Sequence, residues 1–504
     1  MIGLQQEKGG FFEQIQGHMN PVIVEHYYGP RVANSGSSFP YLIQVMTAHV
    51  VMLSEEKIIP EAIASKLLSV MLSWENTIPE LDPGLEDLYI NLESLITKAA
   101  GADVCGYLPV ARSRNDVEAA MWRIELREKL YALADSLILM TDTLHMRIKE
   151  TADYVFPGYT YNQQAQPITM GHHLLGISAA LLRSLERVLD CTQRFNKNPL
   201  GAAAMSGTSY PIDRVRTAEL MGFDGVWEHT GDAVSSADYM LEAAGTAVSS
   251  LITLARLAED IIWWCSNEAG FADLPNDMID SSSIMPQKRN PVICASVRSQ
   301  ARLASGRYAG ICAASSVGFQ ASRDVTAAWE DVLACINTSN SMCRISEAYT
   351  KTLIFHKEVM ERSLEKGFSN TTELADSLVL QGGLSFRAAH KIVGGAVSQL
   401  FEEGKEQKDL TWSLLDSWSR EITGKMLPIT EEQVSQAKDF RIGVERRSCR
   451  GGTSQSEIAR MLTLQADELS VFAGRVADNR ARWRKAEEKL RTRGAEIAGL
   501  GKQN

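Results

Sequence analysis

The 504-residue sequence predicts an all-α protein organised around a central bundle of long helices. Three observations predict it. Prolines are absent from Val117 to Phe156 and from Val292 to Leu427, and gather instead at corners: Pro157, Pro167, Pro199, Pro211, Pro275, Pro286 and Pro291. A proline inside a helix costs about 3 kcal/mol, so proline-free runs between such corners read as helices. Apolar residues recur at steps of three and four. Strand-like alternation is scarce, and no β-α-β rhythm appears.

Taken in chain order, the first long helix is expected from near Val117. There Leu126, Leu130, Leu133, Leu137, Met140, Leu144 and Ile148 set an apolar stripe on one face. A second is expected from about Ile168 to Phe195, with Leu174, Ile177, Leu181, Leu185, Val188 and Leu189 toward one side. A third carries Leu241, Ala244, Val248, Leu251, Ala255, Ala258 and Ile262. Small residues at Ala243-Ala244-Gly245 and Ala304-Ser305-Gly306 let helices approach closely. Each long helix spans roughly 40–50 Å at 1.5 Å per residue. Helices longer than a domain is wide pack as an extended bundle. The Lys/Arg/Glu-rich stretch from Arg480 to Arg493 reads as a solvated helix face or a frayed tail. These patterns divide the chain into an N-terminal helical segment (1–115), a central long-helix domain (116–366) and a C-terminal helical segment (367–504). The last boundary is placed at Gly367-Phe368-Ser369-Asn370, where the long-helix pattern lapses.

Composition narrows the function. With 45% hydrophobic and 22% charged residues the chain is ordinary globular material, not a disordered one. Lys plus Arg is 51 against 62 for Asp plus Glu, a net charge of −11 with no long basic block, which argues against a nucleic-acid partner. An anionic small molecule stays open, because a local cationic pocket does not show in a total. The eight cysteines form no C-x-x-C pair and have no histidine at zinc spacing, so no metal site is expected and a reducing, cytoplasmic setting is. Residues 1–8 lack the apolar core of a signal peptide. The most apolar stretch, around Leu251 to Cys265, is broken by Arg256, Glu259 and Asp260, so no membrane span is expected.

The familiar cofactor and nucleophile motifs are missing: no G-x-G-x-x-G, Walker loop, H-E-x-x-H or G-x-S-x-G. Three polar, turn-rich segments beside long helices stand out instead. In Ala111-Arg112-Ser113-Arg114-Asn115-Asp116 the donors of Arg, Ser and Asn join a helix N-terminus, which makes a carboxylate cradle. A plain helix cap, with Asn115 or Asp116 as N-cap, is the simpler reading. The stretch from Gly158-Tyr159-Thr160-Tyr161 through Gln166-Pro167 to His172-His173 is rich in amides and hydroxyls where a helix must begin, and also fits a hydrogen-bonded interhelical turn. The two histidines cannot point the same way, so at least one is expected to be a satisfied structural residue. The third segment, Asp280-Ser281-Ser282-Ser283-Ile284-Met285-Pro286-Gln287-Lys288-Arg289-Asn290-Pro291, is too polar to have a packing role between long helices. It reads equally as a site loop or a mobile surface loop. Together the three offer hydroxyls, amides and cations, which suit binding a dicarboxylate and stabilising a developing carbanion.

Ser282-Ser283-Ile284-Met285-Pro286-Gln287-Lys288-Arg289-Asn290-Pro291 resembles the S-S-x-M-P-x-K-x-N-P signature of the fumarase/aspartase superfamily. Arg112-Ser113-Arg114-Asn115-Asp116 resembles the R-S-R-N-D segment of its argininosuccinate lyase branch, and Gly158-Tyr159-Thr160 with Ala165-Gln166-Pro167 resembles that branch's G-Y-T-H-L-Q-x-A-Q-P. The likeness runs from about residue 100 to about 455. It implies a three-domain all-α subunit, a homotetramer with a multi-subunit helical core, and active sites each built from segments of three subunits. The implied reaction is a reversible β-elimination releasing fumarate or a relative, without a cofactor, from a small dicarboxylate. Carried over residue by residue, Ser282 is the base that takes the β-proton, activated by the closed loop, Lys288 and backbone N–H groups. Lys288 and Asn290 hold the carboxylate and steady the aci-carboxylate intermediate. Ser113, Arg114, Asn115, Thr160 and Gln166 are the other substrate contacts.

Several positions depart from the branch. Its histidine after the threonine is Tyr161, which leaves Tyr161 or a water as the acid. The signature's leading glycine is Ser281, and the usual H-T-G is Pro109-Val110-Ala111. An S-D-R-D segment reads Ser235-Ser236-Ala237-Asp238, without the arginine, and a Y-N-K-D-x-Q-E-D-K run becomes Ala321 to Glu330, without its tyrosine, glutamine and lysine. These positions serve the non-fumarate half. The expected substrate is therefore an N-substituted aspartate of the ethylenediamine-disuccinate or iminodisuccinate kind, with Arg323 either a contact for an extra carboxylate or, equally, part of a surface salt bridge. A true argininosuccinate lyase and a catalytically silent structural relative are the alternatives.

Overall fold

Long helices run side by side through the centre of the molecule because each carries an apolar face that must leave water. The computed structural model describes residues 20–74 and 77–500. Residues 1–8, read above as lacking a signal peptide, lie outside them. N-terminal helices, among them α1 (Phe39–Glu55) and α2 (Glu61–Leu72), precede the bundle of α3 (Arg114–Thr151), α4 (Met170–Phe195), α5 (Asp238–Trp264), α6 (Val292–Ala314) and α7 (Trp329–Thr352). A last helix, α8 (Gln455–Ile497), returns to pack along α4 and reaches back to α1 and α2.

The expected apolar stripe of α3, from Leu126 to Ile148, is fully buried against α4 and α7. Truncating one such leucine to alanine typically costs about 2–5 kcal/mol. The helix begins at Arg114 rather than near Val117, because Ser113 caps it. The stripe on α4 is buried as expected, and Thr169 Oγ1 starts that helix by accepting the His172 N–H at 3.1 Å. On α5, Ala243 and Ala244 are fully buried, as is Ala304 on α6, where the two helices meet. Among the described residues α5 is long and apolar enough to cross a membrane, but over half of its apolar window is buried inside the bundle.

The proline-free run after Val292 holds two long helices, as expected, and then shorter ones. Serine- and glycine-containing breaks divide it into α6, α7 and a series of shorter helices. The stretch from Arg480 to Arg493 belongs to the 43-residue α8 and is not frayed. Its inner face is buried through Trp483 and Leu490, with Trp483 edge-on to Tyr131 at 4.5 Å, while its charges face out.

The segment between α3 and α4 corrects the expectation of an interhelical turn. It is an antiparallel hairpin, β1 (Val155–Thr160) and β2 (Gln163–Thr169). Pro157 and Pro167 face each other in it. Neither can donate within a helix, so the chain between α3 and α4 stays extended and pairs with itself. A second apolar core lies within residues 368–437, apart from the bundle core. The hairpin is fastened to its start: Gln164 Nε2 donates to the Ser363 carbonyl at 3.0 Å, and Ser369 Oγ donates to Gln164 Oε1 at 2.9 Å. Gly367 allows this approach, since a Cβ there would collide with the Gln164 amide.

Candidate active site

The first polar segment is a capping box. Ser113, not Asn115 or Asp116, is the N-cap of α3. Its Oγ accepts the Asn115 N–H at 3.4 Å, and its own N–H donates to Asp116 Oδ1 at 2.9 Å. Asp116 is fully buried, and its second oxygen accepts the N–H groups of Gly201 (2.9 Å) and Ala203 (2.8 Å). Burial pushes this carboxyl up, and the three N–H groups oppose that. Gly201 has φ +87°, which suits glycine alone, and a Cβ there would strike Ile212. Arg114 pairs with Glu86 (2.7 Å) and Asp87 (3.0 Å). Arg112 lies over the Tyr89 ring at 4.5 Å. The side-chain amide of Asn115 makes no hydrogen bond among the described residues.

The other two segments lie at the far end of α3, whose 38 residues span about 57 Å. Thr160 is exposed at the hairpin end, beside the two-residue turn of Tyr161 and Asn162. Both turn residues are left-handed, with φ of 53° and 57°. Asparagine tolerates this, whereas a bulky tyrosine there is strained. Tyr161 is 100% exposed, and Gln166 is exposed on β2.

The loop of residues 280–290 closes on itself by pairing Asp280 with Asn290 and Ser281 with Arg289. Arg289 pins it, donating to Asn276 Oδ1 and the Leu274 carbonyl, both at 2.6 Å. Within it, Ser282 Oγ accepts the N–H groups of Ile284 (3.3 Å) and Met285 (3.1 Å). Lys288 is exposed, with no ion-pair partner among the described residues, and Asn290 is half-buried. The chain leading into this loop is anchored at the hairpin's end of the bundle, because Ala272–Asp273 pairs with Ile354–Phe355 just after α7. There Trp263, near the end of α5, packs edge-on to Tyr159 at 6.4 Å. The single chain thus groups Thr160, Tyr161 and Gln166 with Ser282, Lys288 and Asn290 at one end. Ser113, Arg114 and Asn115 stand at the other, and Arg323 is with them, lining a cavity that Asp87 shares.

Comparison with known proteins decides the family. A lyase family model matches residues 51–306, and a model of the argininosuccinate lyase C-terminal region matches residues 368–443. The argininosuccinate lyase of Methanosarcina mazei is 36% identical over 442 residues, which cover 86% of this chain and 88% of that one. The chain belongs to the argininosuccinate lyase-like branch of the fumarase/aspartase superfamily. It is a carbon–nitrogen lyase. Argininosuccinate lyase 1 of Shouchella clausii is 31% identical, over 91% of this chain and 93% of its own length. Among solved structures, EDDS lyase in complex with formate superposes with a TM-score of 0.85 at 28% identity, covering 97% of both chains. A fumarate lyase from Mesorhizobium sp. BNC1 shares the fold, with a TM-score of 0.71 at 19% identity over 86% of this chain and 96% of that one.

In this lyase a guanidinium reaches the segment Ser235-Ser236-Ala237-Asp238, which has no arginine, from another helix. Arg123 of α3 donates to Ser236 Oγ at 3.3 Å while lying 4.6 Å from the Trp227 ring and 4.2 Å from the Tyr239 ring. Burial lowers its pKa. Both histidines of the hairpin segment are partnered: His173 Nε2 with Asp260 Oδ2 at 2.9 Å, and His172 Nε2 with the Gly451 carbonyl at 3.2 Å. The sequence pointed to neither Arg31 nor Glu118 of the Arg323 cavity. Glu118 looks like any charge on a helix face, and Arg31 lies before the region of resemblance. Only the folded chain brings them to one cavity.

Proposed function

We propose that this lyase eliminates an amine from an N-substituted aspartate, reversibly, to give fumarate. Ser282 takes the β-proton, the electron pair passes into an aci-carboxylate, and the C–N bond then breaks with the amine accepting a proton. The environment of Ser282 carries this reading. Neutral serine is far too weak a base, but two backbone N–H groups aimed at Oγ stabilise its alkoxide, the form that accepts the β-proton. Lys288 and Asn290 are assigned to the substrate carboxylate and the intermediate. Ser113, Arg114, Asn115, Thr160 and Gln166 are assigned to the remaining substrate contacts, and Tyr161 or a water to the acid.

Such a site needs several subunits. Ser113 and Thr160 are separated by the length of α3, so no single protomer supplies both to one substrate. Ile252 and Trp263 on α5 and Leu303 on α6 are apolar and about half exposed, which supports subunit packing along the bundle. We infer a homotetramer with closed symmetry.

For the amine half, the missing tyrosine, glutamine and lysine in residues 321–330, with Tyr161 and Ala237, favour an aminopolycarboxylate over arginine. Arg323 is the candidate contact for the added carboxylate. The 36% identity to an argininosuccinate lyase supports the second reading, release of arginine. Fumarate absorbance measured with argininosuccinate, ethylenediamine-disuccinate and iminodisuccinate decides between them. We expect kcat/KM for argininosuccinate to lie well below the best of the others. Argininosuccinate as clearly the best substrate establishes the second reading, and fumarate from none of the three calls for a different amine half.

A further inference from the structure

The cavity beside the Ser113 turn, about 290 Å³ in volume, contains polar groups that are unevenly paired. Two of its acids are engaged: Asp87 with Arg114 at 3.0 Å, and Glu330 with the Asn34 amide at 3.1 Å. Its two arginines are less so. Arg323 lies 5.3 Å from the Tyr27 ring centroid and donates to Thr326 Oγ1 at 3.2 Å, with no carboxylate at ion-pair distance among the described residues. Arg31 reaches one acid, Glu118, at 3.6 Å, which is too long for a hydrogen bond. One internal carboxylate thus stands near two guanidinium groups that both have donors to spare.

We propose that Arg31 and Arg323 together receive a carboxylate carried on the amine half of the substrate, and that Glu118 is the internal anion which this group displaces from Arg31. The proposal rests on the function proposed above. Position supports it: Glu118 lies one turn along α3 from the Ser113 cap, and Asp87 ties the cavity to Arg114. Chemistry supports it too, since a guanidinium holds a carboxylate through two parallel hydrogen bonds that Arg31 does not make with Glu118. The charged groups facing Glu118 are Asp87, Arg31, Arg114 and Arg323. Burial and Asp87 push its carboxyl up to about 7, against the pull of the three arginines. The raised carboxyl lets Glu118 give up its charge more easily than an ordinary glutamate when a second carboxylate competes for Arg31.

The test compares two N-substituted aspartates, one whose amine half bears a carboxylate (iminodisuccinate) and one whose amine half bears none (N-methylaspartate). The readout is the ratio of their kcat/KM values, with direct calorimetric binding of the two product amines, aspartate and methylamine, alongside. Arg31→Gln should lower the ratio by roughly tenfold or more, with Arg31→Lys intermediate. Glu118→Gln should raise it several-fold, through KM. A ratio unmoved by Arg31→Gln, or lowered by Glu118→Gln, overturns the proposal. The latter result would make Glu118 a partner for a substrate cation. If neither substrate yields fumarate, the proposed substrate class fails by itself. The binding arm still judges the cavity: aspartate binding that is weakened in Arg31→Gln and strengthened in Glu118→Gln supports it, and binding unaffected by both overturns it.

Discussion

The two ends of α3 are built on opposite plans. At its N-terminus the capping turn is complete within one chain: Ser113, Arg114 and Asp116 all have partners, and Asp116 also holds the backbone of Gly201 and Ala203. At its C-terminal end the polar groups face water. Tyr161 stands fully exposed in a strained turn, and Lys288 has no ion-pair partner among the described residues. Yet the backbone there is set, because the hairpin and the loop of residues 280–290 both close on themselves. At the first end the capping turn itself is finished by folding, though Arg31 and Arg323 in the cavity beside it keep donors to spare. The other has a shaped backbone and side chains still short of partners, which substrate and neighbouring subunits supply on the reading proposed here.

That contrast is broken most sharply at Ser282. Ser282→Ala should lower kcat/KM by about 10²–10⁴-fold, or roughly 3–5 kcal/mol, with thermal stability unchanged, because its hydroxyl holds no other element. Ser283→Ala should stay active, and the reverse outcome would move the base one residue along. Mixing inactive Ser282→Ala and Asn115→Ala chains under conditions that exchange subunits should restore part of the activity, since some sites then combine intact segments. No recovery would place the whole site within one chain.

At the finished end the expected effect is on stability. Asp116→Ala strands the N–H groups of Ser113, Gly201 and Ala203 in a buried turn, at about 1 kcal/mol or more each. Denaturant unfolding should show a loss of about 3 kcal/mol, and a loss below about 1 kcal/mol would mean that the box does not organise this end.

A smaller effect tests the same end through pH. His49 of α1 is fully buried and donates from Nε2 to the Val110 carbonyl at 2.8 Å. Burial, then the charge of Arg112, pushes its pKa down to about 3. Below the unfolded value of about 6.5 the unfolded chain binds a proton that the folded chain refuses. Stability from this residue is thus complete above that pH and falls toward pH 3. Between pH 7 and 5 the loss is about 2 kcal/mol. His49→Gln should reduce the acid sensitivity by that amount, and an unchanged pH profile would show that His49 is not buried neutral.

The bundle was legible in the sequence because a helix stripe is a local pattern. Leu126 to Ile148 on α3 and Leu174 to Leu189 on α4 are buried where their spacing places them. The three polar segments were legible because turn chemistry and motif spacing are local too. Several features were not. The start of α3 depends on which of Ser113, Asn115 and Asp116 turns inward, and the buried amides of Gly201 and Ala203 decide that from 85 and 87 residues away. The hairpin was missed because β1 is interrupted by Pro157-Gly158 and more than half of β2 is glutamine and proline, and its pairing is held by the gap between two helices.

What the sequence determined by itself is the all-α class, the family and the chemical types present at the candidate site. These follow from periodicity and contiguous motifs, which survive in one dimension. What only the tertiary structure decided is arrangement. It placed the Ser113 turn and the Ser282 loop at opposite ends of one helix, supplied Arg123 beside the segment that lacks its own arginine, and set Arg31, Glu118 and Arg323 around one cavity. The physical reason is range. Side-chain spacing on a helix is set by the neighbouring turns, whereas the meeting of residues some 90 to 290 positions apart is set by how the apolar faces of separate helices are buried together.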